Sequence, residues 1–141
     1  MNVKNKILQF LNTQTDCVIA SVGPDGQPQS ATIGFAENDK LQLVFGTSRN
    51  SRKAQNIARD SRVAVVFGFS GGTTVQYEGE ARVLESRELE DYQNVYFQKQ
   101  PQTKSFKDSP EQIYLIIEPR WIRYTNYTSK PVEIEEMRQF S

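Results

Sequence analysis

Leu41-Gln42-Leu43-Val44-Phe45-Gly46-Thr47-Ser48-Arg49-Asn50-Ser51-Arg52-Lys53-Ala54 is the stretch from which the fold of this chain is read. In its first half Leu41, Leu43 and Phe45 alternate with Gln42 and Val44, the period of a half-buried strand running to Thr47. Its second half changes character within a few residues. Asn50 or Ser51 can cap a helix over about 51–60, with Ala54, Ile57 and Ala58 as its buried stripe. Between strand and helix lie the hydroxyls of Thr47, Ser48 and Ser51 and the charges of Arg49, Arg52 and Lys53. The first amides of a helix have no intrahelical acceptor and carry a partial positive charge, so a helix start of this composition suits phosphate. Arg matches phosphate oxygens as a planar fork, and Lys adds a point charge. The same residues would equally serve a solvated, capped helix start, and physics alone does not separate the two readings.

The chain on either side reads mainly as β-structure. Val3, Ile7, Leu8, Phe10 and Leu11 recur at helical spacing over 3–13. Asp16–Val22 and Gln29–Ala36 are strands joined by the turn residues Gly23-Pro24-Asp25-Gly26-Gln27-Pro28, which makes a hairpin. After the helix at 51–60, Arg62–Phe69 is dense enough in apolar residues to be a central strand. Ser70-Gly71-Gly72 turns the chain into Thr73–Leu84, a long strand in which Gly79 marks a bulge or a barrel bend. Ser86 caps a third helix with Leu89, Tyr92, Val95 and Tyr96 on one face. A polar loop covers 100–109. Ile113–Tyr127 is a last strand or strand pair broken near Pro119, and the charged tail carries a short helical turn at Ile134–Arg138. The expectation is one domain of about six mostly antiparallel strands with three short helices, closed into a barrel that hides its edges.

Composition removes several classes of function. The 141 residues contain no His, which excludes Ser-His-Asp and Cys-His catalysis, His-ligated zinc and haem, and the usual proton shuttle at neutral pH. Chemistry here would come from a cofactor. The single cysteine, Cys17, allows no internal disulfide and lies in the apolar run Cys17-Val18-Ile19-Ala20, where it reads as a small buried hydrophobe. Seventeen basic residues balance seventeen acidic ones, so the net charge of zero argues against a dedicated nucleic-acid binder and lowers one barrier to self-association. No segment has a signal-peptide pattern or an apolar run long enough for a bilayer, and a cytoplasmic location is expected.

In order, the chain offers a strand, Thr47, a short turn, Ser51-Arg52-Lys53-Ala54, a helix, and then Arg62-Val63-Ala64-Val65-Val66-Phe67. This series resembles the FMN-binding split barrel of the pyridoxamine 5′-phosphate oxidase family and its small stress-protein-like relatives, over about residues 15–127. The resemblance implies that Thr47, Arg52 and Lys53 contact the FMN phosphate, with Ser51 beside them. It also implies that the backbone around Thr32, Ile33 and Gly34 runs along the flavin ring, that Thr74 stands where the oxidases direct a Gln at the ring, and that Trp121 falls near an aromatic that approaches the flavin in some relatives. Read from the residues alone, Trp121 is an ordinary core or interface side chain. The family pattern further implies a homodimer with flavin at the subunit interface and electrons taken from NADH or NADPH.

Two departures narrow this. Ala31 stands where the oxidases carry an Arg toward the phosphate, which implies weaker phosphate binding. Those oxidases also carry an Arg and a His near the C-terminus for the pyridoxine substrate, and Arg120-Trp121-Ile122-Arg123-Tyr124 does not replace that pair. The expectation is therefore an FMN-dependent oxidoreductase that is not a true pyridoxamine phosphate oxidase, its catalytic residues unassigned. Deazaflavin in the same turn, non-catalytic FMN storage or sensing, and a single-stranded RNA barrel using Tyr77, Tyr114 and Tyr124 are the other readings. Two apparent motifs are decoys. Gly68-Phe69-Ser70-Gly71-Gly72 lacks the His and the following helix of a nucleophile elbow, and Asn126-Tyr127-Thr128 has nothing to send it to a glycosylating compartment.

Overall fold

Alternation of buried and exposed positions builds the sheet. In a computed structural model, which describes residues 1–140, the strands are β1 (Asp16–Val22), β2 (Pro28–Gly34), β3 (Ala36–Glu37), β4 (Leu43–Ser48), β5 (Arg62–Phe67), β6 (Thr73–Val83), β7 (Gln112–Asn126) and β8 (Glu133–Met137). Helices α1 (Val3–Asn12), α2 (Arg52–Arg59) and α3 (Ser86–Lys99), with a 3-10 turn at Pro101–Phe106, complete the described chain. Every strand pair is antiparallel, in the order β2-β1-β5-β6-β7-β4-β3, and β8 adds to β7. The sheet curves into a half-barrel. β7 organises it: β6 pairs along its length on one edge, while β4 and β8 share the other, β4 along Gln112–Ile117 and β8 along Ile122–Asn126.

The concave side is filled by Ile19, Phe35, Phe45, Phe67, Tyr77, Leu115, Ile117 and Ile122, all essentially inaccessible to solvent. The rings of Phe35 and Phe67 meet edge to face at 4.8 Å. Ile7 and Leu11 of α1 plug one end of the half-barrel, where Phe10 packs on Gly68 at the end of β5, and α2 packs at the opposite end, against β1 and β6. Lys6 of α1 is held by the carboxylates of Glu133 and Glu135, two residues apart and so on one face of β8.

The structure departs from the sequence reading in details with clear causes. The last strand is continuous through Pro119, because a register shift between Glu78 and Gly79 on β6 absorbs the proline where a ladder hydrogen bond would be missing. Glu133–Met137 is strand where the sequence spacing predicts a helical turn at Ile134–Arg138. Pairing with β7 and the Lys6 contacts favour alternation there over the helical spacing of Ile134 and Met137. The strand after the second turn starts at Leu43, since Leu41 sits at φ 61 in a turn whose Lys40 and Gln42 amides bond to Asn38 Oδ1. The cap of α3 is Glu85, one residue before Ser86, and its amide donates to Glu88 Oε2 at 2.9 Å. Residues 101–106 of the polar loop form the 3-10 turn. The buried stripe of α2 is Ala54, Asn56 and Ile57, with Ala58 exposed. No helix is long and apolar enough to cross a membrane among the described residues.

Candidate functional site

The turn between β4 and α2 is shaped by its own hydroxyls. Thr47 Oγ1 lies 3.1 Å from Ser51 Oγ, which in turn accepts the Ala54 amide at 3.3 Å, so Ser51 rather than Asn50 is the cap. The Ser51 amide donates to the Ser48 carbonyl at 3.1 Å and the Arg49 amide to the Glu111 carbonyl at 2.8 Å, tying the turn to the entry of β7. The amides of Arg52 and Lys53, the first two of α2, have no acceptor among the described residues.

Arg52 and Lys53 line a cavity of about 220 Å³ together with Ser21, Gln29, Ser30 and Ala31. The cavity lies where β2, an end strand of the sheet, approaches the start of α2. Arg49, Arg52 and Lys53 form no ion pair with any described carboxylate, whereas Arg62, Arg82, Arg120 and Arg123 are each paired. Partial burial pushes the Lys53 ammonium below its ordinary pKa, since its charge is desolvated and uncompensated. Ala31 adds no polar group to the wall. The donor set of two cations, two helix-start amides and nearby hydroxyls, with no carboxylate, fits a phosphate group and is wrong for a metal ion.

Three polar residues that the sequence reading missed line or back this cavity: Ser21 and Asn56 are buried, and Gln29 is half-buried. Asn56, 2% exposed, donates through Nδ2 to Ser21 Oγ at 3.0 Å and to Gln29 Oε1 at 2.9 Å. Its Oδ1 accepts from Arg59 at 2.7 Å. Ser21 and Gln29 are cross-strand partners in β1 and β2. The available signals were a polar residue interrupting the apolar stripe of α2 and a Ser in the inward phase of Cys17, Ile19 and Ser21.

The other expected site residues lie progressively farther away. Thr32, Ile33 and Gly34 continue β2 beyond Ala31. Thr32 faces outward, Ile33 turns its side chain into the core opposite Cys17, and Gly34 lies under the Gln100 amide, which donates to the Thr15 and Phe35 carbonyls at 2.8 and 3.0 Å. Thr74 is the second residue of β6, with β1 and β5 between it and β2, and its hydroxyl donates to the Phe67 carbonyl at 2.9 Å. Trp121 stands on the outer face of β7. Its Nε1 donates to Glu136 at 2.7 Å, and its ring centroid is 5.4 Å from the Arg123 guanidinium. The structure thus brings Arg52 and Lys53 into one cavity above the Thr47–Ser51 hydrogen bond and leaves Thr74 and Trp121 outside it.

A larger groove of about 740 Å³ crosses the outer face of β1, β5 and β6, floored by Ala20, Val22 and Ala64. Its cations are already satisfied, Arg62 by Asp60 and Arg120 by Glu80, so it has no free charge for an anion. Trp121 lines a separate hollow beside it with Val18 and Ala64.

Comparison with known proteins agrees with this fold. The family model described as pyridoxamine 5′-phosphate oxidase matches residues 3–126. Pyridoxine/pyridoxamine 5′-phosphate oxidase of Shewanella sediminis is 35% identical over 85 residues, 60% of this chain and 40% of that protein. The chain spans less than half the length of the curated relatives it matches. Among solved structures, general stress protein 26 of Bacillus anthracis is 25% identical with a TM-score of 0.76, covering 99% of this chain and 100% of that one. A pyridoxamine 5′-phosphate oxidase-related, FMN-binding protein of Nostoc punctiforme (17% identity, TM-score 0.71, 96% and 95% covered) shares the fold. So does a heme-binding protein of Mycobacterium smegmatis (13% identity, TM-score 0.85, 98% and 58% covered).

Proposed function

The chain belongs to the pyridoxamine 5′-phosphate oxidase family, and we propose that it is an FMN-binding flavoprotein whose cofactor phosphate lies in the Arg52–Lys53 cavity. The observation that carries this is the pairing of two cations without acidic partners and two open helix-start amides in one cavity. Thr47 and Ser51 shape the turn that presents them, and β2 beyond Ala31, through Thr32, Ile33 and Gly34, borders the ring. FMN bound there would supply hydride and electron transfer, with NADH or NADPH as donor, while the protein contributes binding, orientation and exclusion of water. With no His among the 141 residues to take the substrate role that the family resemblance implies, the proposed reaction is an oxidoreduction other than oxidation of pyridoxamine phosphate.

The outer groove supports a homodimer. Its small apolar floor and its mixed rim of Arg62, Arg120, Glu78 and Glu80 suit a second copy of the same surface. In such a dimer Trp121, on this face, would be covered.

Purification followed by a visible spectrum and FMN titration tests the proposal. Flavin absorbance near stoichiometry, or FMN binding tighter than riboflavin binding, supports it. No bound flavin and no measurable FMN affinity would sink it. A Soret band in the same spectrum would instead favour haem, and a parallel titration with a deazaflavin phosphate decides between the two flavin types.

A further inference from the structure

We propose that Asn56 is a positioning residue that sets the hydrogen-bond polarity of the phosphate cavity, turning Ser21 and Gln29 into donors toward the ligand's phosphate oxygens. The inference rests on the reading of this cavity as a phosphate site and adds to it the residues that read the anion without charge.

The chain of donors starts at Arg59. A guanidinium can only donate, so the end of the Asn56 amide that lies 2.7 Å from it is Oδ1. The Nδ2 end therefore faces the sheet, and both of its hydrogens are used, on Ser21 Oγ and Gln29 Oε1. A hydroxyl that accepts keeps its own proton to give, and an amide that accepts through Oε1 keeps two N–H groups. No described residue accepts from Ser21 Oγ or from Gln29 Nε2. Ser21 is 3% exposed and lines both this cavity and the outer groove, so its remaining donor is shielded from bulk water. The buried Ser21 donor requires an acceptor, the half-buried Gln29 amide can add to it, and the cations that line the same cavity require a negative one. Arg59 to Asn56 to Ser21 and Gln29 is thus a one-way relay that ends on an oxyanion. It also offsets Ala31, which leaves the wall without a cation: neutral donors stand on β1 and β2 where the family resemblance implies an Arg.

The relay is tested with FMN and riboflavin, which differ only in the phosphate, and with inorganic phosphate alone. The variants are Ser21→Ala, which deletes the terminal donor, and Asn56→Asp, which keeps shape and the Arg59 contact but presents acceptors to Ser21 and Gln29. Hydrogen bonds to charged groups imply a fall in FMN affinity of about 10-fold for Ser21→Ala and about 100-fold for Asn56→Asp, with riboflavin affinity changed less than about 2-fold. The ³¹P resonance of bound FMN should shift in Ser21→Ala while the flavin absorption spectrum does not. A purely structural Asn56 would lower the melting temperature and weaken both ligands alike, so an unchanged FMN-to-riboflavin ratio in both variants overturns the relay while leaving the flavin proposal standing. If the native chain fails to bind FMN, the amide resonances of Arg52 and Lys53 are followed with added phosphate. Shifts that vanish in Asn56→Asp keep the relay and discard the flavin, and no shifts in the native chain discard both.

Discussion

A Cβ atom placed on Gly79 would lie 2.2 Å from the carbonyl oxygen of Glu118. Gly79 faces Pro119, the neighbour of Glu118, where β6 slips register, and only a bare Cα lets the strands close at that point. Gly79→Ala must push β6 and β7 apart in the middle of the sheet. It should cost about 1–3 kcal/mol, the usual range for an overpacked site, read as a lower urea midpoint. A midpoint equal to the native one would mean the bulge relaxes freely.

Replacing Arg52 and Lys53 together by Ala removes both cations from the cavity while leaving the Ser51 cap. Two charged hydrogen bonds of about 1.5–3 kcal/mol each translate into FMN affinity lower by roughly 100–10,000-fold, measured by quenching of flavin fluorescence. Retained affinity would place the phosphate elsewhere.

The pH dependence of binding follows from Lys53. Its folded pKa is lowered from 10.5, so the unfolded chain holds the proton more tightly and the ligand-free protein gains stability as pH rises through the window between the lowered value and 10.5. Binding runs the other way, because the phosphate needs the cation. FMN affinity should rise as the phosphate loses its second proton near pH ~6, and fall again as Lys53 deprotonates below 10.5. In Lys53→Arg the alkaline fall should disappear, since Arg keeps its charge. FMN titrations at stepped pH give both limbs.

Two buried tyrosines should respond oppositely to loss of the hydroxyl. Tyr77 Oη donates to the Leu41 carbonyl at 2.7 Å in the core. Tyr77→Phe leaves that carbonyl unpaired and should cost about 1–3 kcal/mol. Tyr114 Oη is buried beside Gln112 without a partner at hydrogen-bonding geometry, so Tyr114→Phe should leave stability within about 0.5 kcal/mol of native or raise it. Burial also raises the Tyr77 pKa, so its phenol stays protonated in the fold while the unfolded chain ionises above its ordinary value of 10. Stability is thus lost as pH climbs past 10, and Tyr77→Phe should flatten that loss. Urea melts at neutral and alkaline pH check all three statements.

The fold was legible wherever pattern and topology agree. Asp16–Val22 has the same bounds in sequence and structure because its alternation is unbroken and a hairpin turn follows it. The turn at Thr47–Ala54 was legible because its groups are contiguous in the chain. Ser21, Gln29 and Asn56 were not, since the cross-strand register that puts Ser21 opposite Gln29, and the packing of α2 over both, are tertiary facts. Asn56 even counted against recognition, as a polar residue on a stripe expected to be apolar. Glu133–Met137 misled for a related reason: apolar residues three apart satisfy a helix and a twisted edge strand alike, and only β7 decides between them.

The grip of Glu133 and Glu135 on Lys6 joins positions 127 and 129 residues apart. Closing so long a span costs more chain entropy than any hairpin in the sheet, so this contact forms after the strands between have assembled. α1 therefore docks late, as a latch over a half-barrel already built. Deleting 133–137 should leave that half-barrel paired while freeing its first helix to exchange amide hydrogens with solvent.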